Sequence, residues 1–290
     1  MDNEYSNGEY TTEPYDIFNF YGQMSPLHLY YVCLLKGIRP PSIENFDYME
    51  LGCGYGISAN VLAAANPQGN FYALDFNPKC IDEANKISKQ CQIGNVRFIE
   101  GSFSELERLA GSLPKFDFIV LHGVLTWVSQ KNRQYIIDFI NDMIKDNGIV
   151  YVSYNSAVGW AAFLPIRNLM FEIFKNTSGS TEDRAIAAFQ TAEKLVYGKS
   201  MYLANYPNLV EEIVSLKSKS INYFLHEFLN KEWKLFYQMD LVNEFRVADL
   251  SYVGSANIIE NLENLYIGSD RLNILVLRGL LWNQMFRCII

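Results

Sequence analysis

The sequence lacks the features that mark several common classes of protein. Cysteine is scarce, and its five residues show neither CxxC nor metal-ligand spacing, which predicts reduced thiols rather than a disulfide framework or a zinc site. No apolar run reaches about 18 residues, and the N-terminal stretch MDNEYSNGEYTTEPYD is polar and acidic, so neither a membrane-spanning helix nor a signal peptide is predicted. Basic residues number 24 against 32 acidic ones, and the net charge of −8 disfavours nucleic-acid binding over a broad basic surface. These absences predict a soluble, cytoplasmic protein.

Short apolar runs alternate with longer amphipathic stretches in the first half of the chain. The composition, 49% hydrophobic and 19% charged, is that of a globular protein. The predicted strands are Tyr48–Leu51, Asn70–Asp75, Val96–Glu100, Asp117–Leu121 and Ile149–Tyr154. Strands that alternate with helices form right-handed βαβ units. We therefore expect an α/β fold with a Rossmann-like, mostly parallel sheet.

The alternation stops after the fifth predicted strand. The stretch from Trp160 to Asn243 has helical periodicity throughout, and a short strand from Ser251 to Ser255 follows it. We therefore expect an all-helical insertion after strand 5, and 290 residues suit one domain with such an addition. The predicted organisation is a leader at 1–45, a cofactor-binding core at 46–155, a helical domain at 156–243 and a return to the sheet at 244–290.

A glycine-rich turn follows the first predicted strand. Glu50 ends that strand, and Gly52, Gly54 and Gly56 give the pattern E-x-G-x-G-x-G before a helix. Glycines let a ligand approach the backbone, and the helix start presents unpaired N–H groups. Dinucleotide-binding enzymes use a related turn with GxGxxG spacing, so two cofactor classes remain open.

Two further strand ends support a nucleoside ligand. Asp75 ends the second strand 23 residues after Gly52, where an acid can hydrogen-bond ribose hydroxyls in either cofactor class. Ser102 and Phe103 follow the third strand, and either Phe76 or Phe103 is suited to pack on an adenine ring. Three elements on three successive strand ends favour a nucleoside cofactor more strongly than the glycine turn alone.

Longer runs of the sequence resemble one family. They are YTTEPYDIFNFYGQMSPLHLYYVCLLKGIRPP, ELGCGYGISANVLAAANPQGNFYALDFNP, FDFIVLHGVLTWVSQKNR, GIVYVSYNSAVGWAAFLPIR, YFLHEFLNKEWKLFYQMD and SYVGSAN. The chain is similar to class I S-adenosylmethionine-dependent methyltransferases with a methyltransferase regulatory domain, and among them to bacterial, rickettsial-type protein-lysine methyltransferases. In that family the segment resembling 278–287 continues into the last strand and a further domain. The end of this chain at Ile290 therefore implies a truncated last strand.

The resemblance implies a set of cofactor-binding residues. The residues expected to bind S-adenosylmethionine are Glu50, Gly52, Cys53, Gly54, Gly56, Asp75, Phe76, Ser102, Phe103, His122 and Gly123. The residues of the glycine turn are implied to line the methionine moiety. Asp75 is implied to bind the ribose, and Ser102 and Phe103 are implied to contact the adenine. The His-Gly pair at the tip of the fourth strand is implied to face the sulfonium.

His122 and Tyr154 are the candidate catalytic residues. Histidine titrates near neutrality, so His122 either orients or deprotonates a nucleophile, or it only packs against the cofactor. An aromatic wall around a substrate ammonium is a further hypothesis, although most aromatic residues belong to a core. Its members are Tyr21, Trp127, Tyr154 and Trp160. His226 and Glu227 are expected to pack within a helix, and the absence of HExxH leaves no metal site predicted.

Three functions are compatible with these residues. The favoured one is methyl transfer to a protein side chain, preferably a lysine nitrogen. An outer-membrane protein precursor is the candidate partner, and a homodimer is the candidate assembly. The second is a catalytically degenerate module that keeps the fold and the cofactor site without turnover. The third is an NAD-binding Rossmann protein, because the glycine turn and the strand-end acid serve both cofactors.

Overall fold

The computed structural model describes residues 18–262 and 287–289 and divides them into two compact units. The sheet unit contains Phe18–Leu125, Gln130–Tyr154, 238–262 and 287–289. The helical unit contains Thr126–Ser129 and Asn155–Tyr237. The predicted leader before residue 18 and the predicted return segment at 263–286 lie outside the described residues.

The sheet unit is built on parallel strands. In the described residues they are β1 (Phe46–Leu51), β2 (Gly69–Asp75), β3 (Val96–Glu100), β4 (Phe116–Leu121), β5 (Ile144–Val152), β6 (Leu250–Tyr252) and β7 (Arg287–Ile289). Their order is β3-β2-β1-β4-β5-β7-β6, and all of the strand pairs among these residues are parallel. The predicted Rossmann-like sheet is therefore confirmed, and the short β7 pairs with both β5 and β6.

Helices separate the strands and fill the helical unit. In the described residues they are α1 (Pro26–Leu35), α2 (Ile57–Ala65), α3 (Pro78–Gln90), α4 (Leu106–Ala110), α5 (Gln130–Met143), α6 (Ala157–Trp160), α7 (Leu164–Asn176), α8 (Thr181–Tyr197), α9 (Met201–Ala204), α10 (Pro207–Ser215), α11 (Ile221–Phe228) and α12 (Gln238–Phe245). Local signals set several of their starts, as in α3, where the side chain of Asn77 accepts from the backbone N–H of Lys79 and Pro78 takes the first position. Within the described residues, we find no helix with the length and apolar character needed to cross a membrane.

Aromatic side chains fill the core of the sheet unit. Phe46, Tyr48, Phe71 and Phe118 are at most 1% exposed, and their rings contact one another across β1, β2 and β4. Strands buried on both faces have apolar side chains at most positions, which is why the sequence shows short continuous apolar runs. Parallel strands also bring their carboxyl ends to one edge of the sheet, and that edge carries the predicted site residues.

The opposite end of the same strands is joined by an ion-pair network. The ammonium of Lys145 lies 2.8 Å from carboxylate oxygens of both Asp47 and Asp117. The Asp117 carboxylate also accepts from the backbone N–H of Asp47. These contacts link the beginnings of β1 and β4 to the start of β5.

The helical unit has its own apolar core. Its fully buried members include Met170, Ala185, Ala188, Ala192 and Ile213. Small alanines on α8 let the neighbouring helices approach closely, and α7 and α10 both contact α8. The predicted helical insertion is confirmed, while α12 lies with the sheet unit and the exact domain boundaries stay a prediction.

Candidate cofactor and acceptor site

The glycine turn between β1 and α2 adopts a backbone that favours glycine. Gly52, Gly54 and Gly56 have φ angles of +77°, +51° and +65°, the left-handed region that other residues rarely occupy. The backbone N–H groups of Gly52 and Cys53 donate to the carbonyl of Leu74 at 2.8 and 3.0 Å. The turn is therefore tied to the end of β2.

The three glycines differ in the space around them. A Cβ atom on Gly56 would lie 2.5 Å from Phe98 Cε1, and one on Gly52 would lie 2.6 Å from Val124 Cγ2. A Cβ on Gly54 would meet nothing within 4 Å. Packing therefore requires glycine at positions 52 and 56, whereas Gly54 borders open space that a ligand can enter.

Asp75 fastens the glycine turn. Its two carboxylate oxygens accept from the backbone N–H groups of Gly54 and Asn77 at 2.8 and 2.9 Å, and the N–H of Phe76 is a third donor. Burial raises the pKa of this carboxyl, and the three backbone donors oppose that shift. Sequence reasoning assigned Asp75 to the ribose, and the structure adds a positioning role that the sequence did not reveal.

Glu50 is a buried acid without a full set of partners. It is 5% exposed, and its Oε2 has no hydrogen-bond partner among the described residues. Burial, and secondarily the charge of Asp75, raises its pKa to about 8. A buried acceptor of this kind is compensated by a donor or a cation, so Glu50 is suited to a ligand ammonium.

Four other predicted cofactor-binding residues belong to the same turn and strand ends: Cys53, Phe76, Ser102 and Phe103. Burial raises the pKa of the Cys53 thiol well above its usual range, so this residue is a small packed side chain rather than a nucleophile. Ser102 forms a capping box with Glu105, and its hydroxyl lies 2.8 Å from Ser104 Oγ and 3.3 Å from Glu105 Oε2. Phe103 is 5% exposed and lies beside Gly52, whereas Phe76 is half-buried.

His122 lies at the tip of β4 in an aromatic and polar setting. Its ring stacks on that of Tyr21 with centroids 3.6 Å apart, and its Nδ1 lies 2.8 Å from the hydroxyl of Tyr151. Gly123 follows with φ +65°, and its backbone N–H donates to Ser153 Oγ at 2.7 Å. Burial lowers the pKa of His122 to about 4, so the ring is neutral at pH 7.

Tyr151, and not Tyr154, supplies the hydroxyl that bonds His122. β5 ends at Val152, so Tyr154 lies beyond the strand, where burial and then the charge of Glu260 raise its pKa. The catalytic assignment of Tyr154 stays a prediction. The sequence signal for Tyr151 is its place in the fifth predicted strand, at 149–154. That strand also contains Tyr154, and the sequence does not show which of the two tyrosines lies near His122.

The predicted aromatic wall divides between the two units. Tyr21 and Tyr154 belong to the sheet unit, whereas Trp127 and Trp160 pack on Trp233 in the helical unit, at centroid distances of 6.4 and 5.4 Å. The guanidinium of Arg167 lies 4.5 Å from the centroid of the Trp233 ring. A cation of the protein therefore already occupies a face of this cluster.

The donor and acceptor groups of the sheet unit fit S-adenosylmethionine. The open space at Gly54 adjoins a turn that Asp75 holds, and the buried Glu50 lacks a partner at Oε2 within the described residues. An amino-acid ammonium suits the acid, and a cofactor without phosphate suits a turn flanked by two carboxylates. No cluster of three metal-ligating side chains occurs in the described part of the chain.

Two family models match the chain. The model described as "Methyltransferase domain" matches residues 43–230, and the one described as "Predicted methyltransferase regulatory domain" matches residues 220–279. An uncharacterized protein of Synechocystis sp. is 39% identical over 264 residues, which are 91% of this chain and 52% of that protein. An uncharacterized protein of Rickettsia prowazekii is 30% identical over 270 residues, 92% of this chain and 46% of that protein. The chain thus spans about half the length of these relatives.

A solved structure is similar over most of the chain. It is PKMT2 from Rickettsia typhi in complex with AdoHcy, with a TM-score of 0.72 and 26% identity. The match covers 89% of this chain and 49% of that one. A second structure of PKMT2 gives the same TM-score of 0.72 with 25% identity.

Proposed function

Because this chain belongs to the class I S-adenosylmethionine-dependent methyltransferases with a methyltransferase regulatory domain, we propose that it transfers a methyl group to a protein side chain, preferably a lysine nitrogen. The family match decides between the two cofactor classes that the glycine turn left open. The observation that carries the proposal is a glycine turn with open space at Gly54 and a buried, incompletely bonded Glu50 on the strand before it, in a fold that is similar to that of PKMT2 in its complex with AdoHcy. A lysine acceptor is supported by the name of PKMT2, a protein lysine methyltransferase.

The proposed binding roles follow the strand ends. Glu50 accepts from the ammonium of the methionine moiety, and Gly54 leaves room for it. Asp75 still has an acceptor site for a ribose hydroxyl, since a carboxylate offers about four lone-pair positions and three are engaged by backbone N–H groups. Phe76 and Phe103 are assigned to contact with the adenine. Ser102 is assigned to holding the turn that carries Phe103.

The protein contributes position rather than covalent chemistry. When bound, S-adenosylmethionine supplies a methyl carbon activated by a sulfonium. The residues at the tips of β4 and β5 hold the acceptor against it, a proximity effect. A lysine acceptor must be neutral, and removing its proton at pH 7 costs about 4 to 5 kcal/mol from a pKa of about 10.4. The acceptor side of the site therefore has to favour the free amine.

Binding of the cofactor and transfer of the methyl group are tested separately. We expect calorimetric titration with AdoHcy to show saturable binding in the micromolar range, and absence of binding to a folded protein at several hundred micromolar would contradict the proposal. For transfer, candidate bacterial proteins are incubated with the protein and S-adenosylmethionine labelled in the methyl group, then digested. Label on lysine supports the proposal, label on a carboxyl side chain corrects the acceptor, and binding without any transfer supports the degenerate module.

A cytoplasmic location and a polypeptide partner complete the proposal. An outer-membrane protein precursor is one candidate partner, and it meets the protein before export. Labelled precursor and its mature, membrane-inserted form are compared as acceptors. We expect faster transfer to the unfolded precursor, because folding and membrane insertion remove some of its lysines from contact with the protein. Equal transfer to the two forms would contradict the precursor as the preferred partner.

A further inference from the structure

A row of hydrogen bonds joins the tips of β4 and β5. The backbone N–H of Gly123 lies 2.7 Å from Ser153 Oγ, the side chain of Ser153 bonds the hydroxyl of Tyr151, and that hydroxyl lies 2.8 Å from Nδ1 of His122. Tyr151 and His122 are 29 residues apart in sequence, so only the pairing of the two strands brings them together. The row ends on the imidazole ring.

One end of the row has a fixed direction. A backbone N–H only donates, so the oxygen of Ser153 accepts from Gly123. This leaves the serine proton available to Tyr151 Oη, and the bond from Ser153 lowers the pKa of Tyr151, which is the effect of a donor to the tyrosine oxygen. In that arrangement the tyrosine proton goes to His122 Nδ1. Since a neutral imidazole carries one proton, acceptance at Nδ1 puts that proton on Nε2.

Packing fixes the plane of the ring as well. Tyr21 stacks on His122 with an interplanar angle of 24°, and the backbone N–H of Tyr21 donates to Ser58 Oγ at 3.2 Å. On β5 the ring of Tyr151 lies almost parallel to that of His122, at 6°. Burial lowers the pKa of His122 to about 4 and raises that of Tyr151, so both groups keep their neutral forms at pH 7.

We propose that Tyr151 and Ser153 are positioning residues that hold His122 in the Nε2–H form, so that it offers the acceptor a hydrogen-bond donor and not a base. This inference rests on the proposed function in placing the acceptor beside His122. It also specifies what the donor bonds: Nε2–H donates to an oxygen of the substrate polypeptide that lies near the methylated atom, such as a backbone carbonyl, because an attacking amine uses its single lone pair on the methyl carbon. The proton that an amine acceptor must lose goes to solvent instead of to His122.

The tautomer is measured directly in the ligand-free full chain. Proton–nitrogen correlation spectra of protein labelled with ¹⁵N-histidine contain three imidazoles, and His122→Gln identifies the signal of interest. We expect the Nε2–H form at pH 7, unchanged down to about pH 5. An Nδ1–H form, or a ring that titrates between pH 6 and 7, overturns the inference.

Two hydroxyl deletions test the positioning residues. Tyr151→Phe removes the donor to Nδ1, and we expect His122 to become a mixture of both tautomers; an unchanged spectrum overturns the inference. Ser153→Ala should have a smaller effect in the same direction. The matched control is Tyr48→Phe, which deletes a buried tyrosine hydroxyl that bonds the carbonyl of Met24, and it should leave the His122 signals in place.

Activity separates donor from base and separates this inference from the proposed function. Glutamine retains an N–H donor, so we expect His122→Gln to keep roughly ten times more activity than His122→Ala, in line with one hydrogen bond. Equal loss in both variants contradicts the donor role. If the Nε2–H form is observed but no acceptor is ever methylated, the proposed function fails and the positioning role stands.

Discussion

Substituting Gly54 and Gly56 separately distinguishes what the glycine turn does for folding from what it does for the ligand. Both positions have positive φ, +51° and +65°, so alanine at either costs roughly 1–2 kcal/mol of backbone energy. Gly94 borders open space and is not among the glycines with positive φ. Gly94→Ala is therefore the matched control, and it should leave the free energy of unfolding within about 0.5 kcal/mol.

Only the Cβ of Gly56→Ala overlaps other atoms. It lies 2.5 Å from Phe98 Cε1 and 2.7 Å from the Cβ of Ala84, and both neighbours are buried. Overpacking of this kind costs roughly 1–3 kcal/mol in addition to the backbone energy. We therefore expect Gly56→Ala to lose about 2–5 kcal/mol of unfolding free energy and Gly54→Ala about 1–2 kcal/mol.

Urea unfolding without ligand measures the first effect, and calorimetry with AdoHcy measures the second. We expect Gly54→Ala to remain folded but to bind AdoHcy at least about tenfold more weakly, because its Cβ enters the space beside the turn. Equal destabilisation by the two alanines would refute the packing argument for Gly56. Unchanged AdoHcy affinity in Gly54→Ala would refute the assignment of that space to the ligand.

Three further predictions concern charged groups of the sheet unit. The folded-state pKa of Glu50, about 8, lies above its ordinary value of 4.5, so its contribution to stability is complete below pH 4.5 and is lost as the pH rises towards 8. Urea titrations at a series of pH values should show that the parent loses about 3–5 kcal/mol of unfolding free energy over that range relative to Glu50→Gln. Parallel pH dependences in the two proteins would contradict the raised pKa. Asp75→Asn should lower the free energy of unfolding by roughly 1–3 kcal/mol and weaken AdoHcy binding, because the asparagine N–H₂ then faces a backbone N–H. A variant as stable as the parent would contradict the role of Asp75 in holding the glycine turn. Lys145→Met should lower the free energy of unfolding by about 1 kcal/mol, because it removes the ion pairs with Asp47 and Asp117. The loss should be smaller in about 0.5 M salt, which screens charges, and a loss that does not depend on salt would exclude the ion pairs as its cause.

The sheet and its ligand-binding edge are largely predictable from local pattern. Apolar runs at β1 to β5 indicate strands because a parallel sheet buries both faces, and the intervening periodicity indicates helices. The glycine turn is equally local, since its φ angles depend on the residues at 52, 54 and 56. The end of β5 is less certain from sequence, because the apolar and aromatic run continues to Tyr154 past the last ladder partner, Val152.

The sequence by itself determined the fold class, the glycine turn and the strand-end acids, because each depends on residues close together in the chain. Only the tertiary structure decided how those groups are used: Asp75 clamps the turn, Glu50 keeps an unpartnered oxygen among the described residues, and Tyr151 rather than Tyr154 bonds His122. Tyr21 reaches the same histidine from the start of the described chain. Hydrogen-bond direction and burial arise from contacts between distant segments, and no local pattern of residues specifies them.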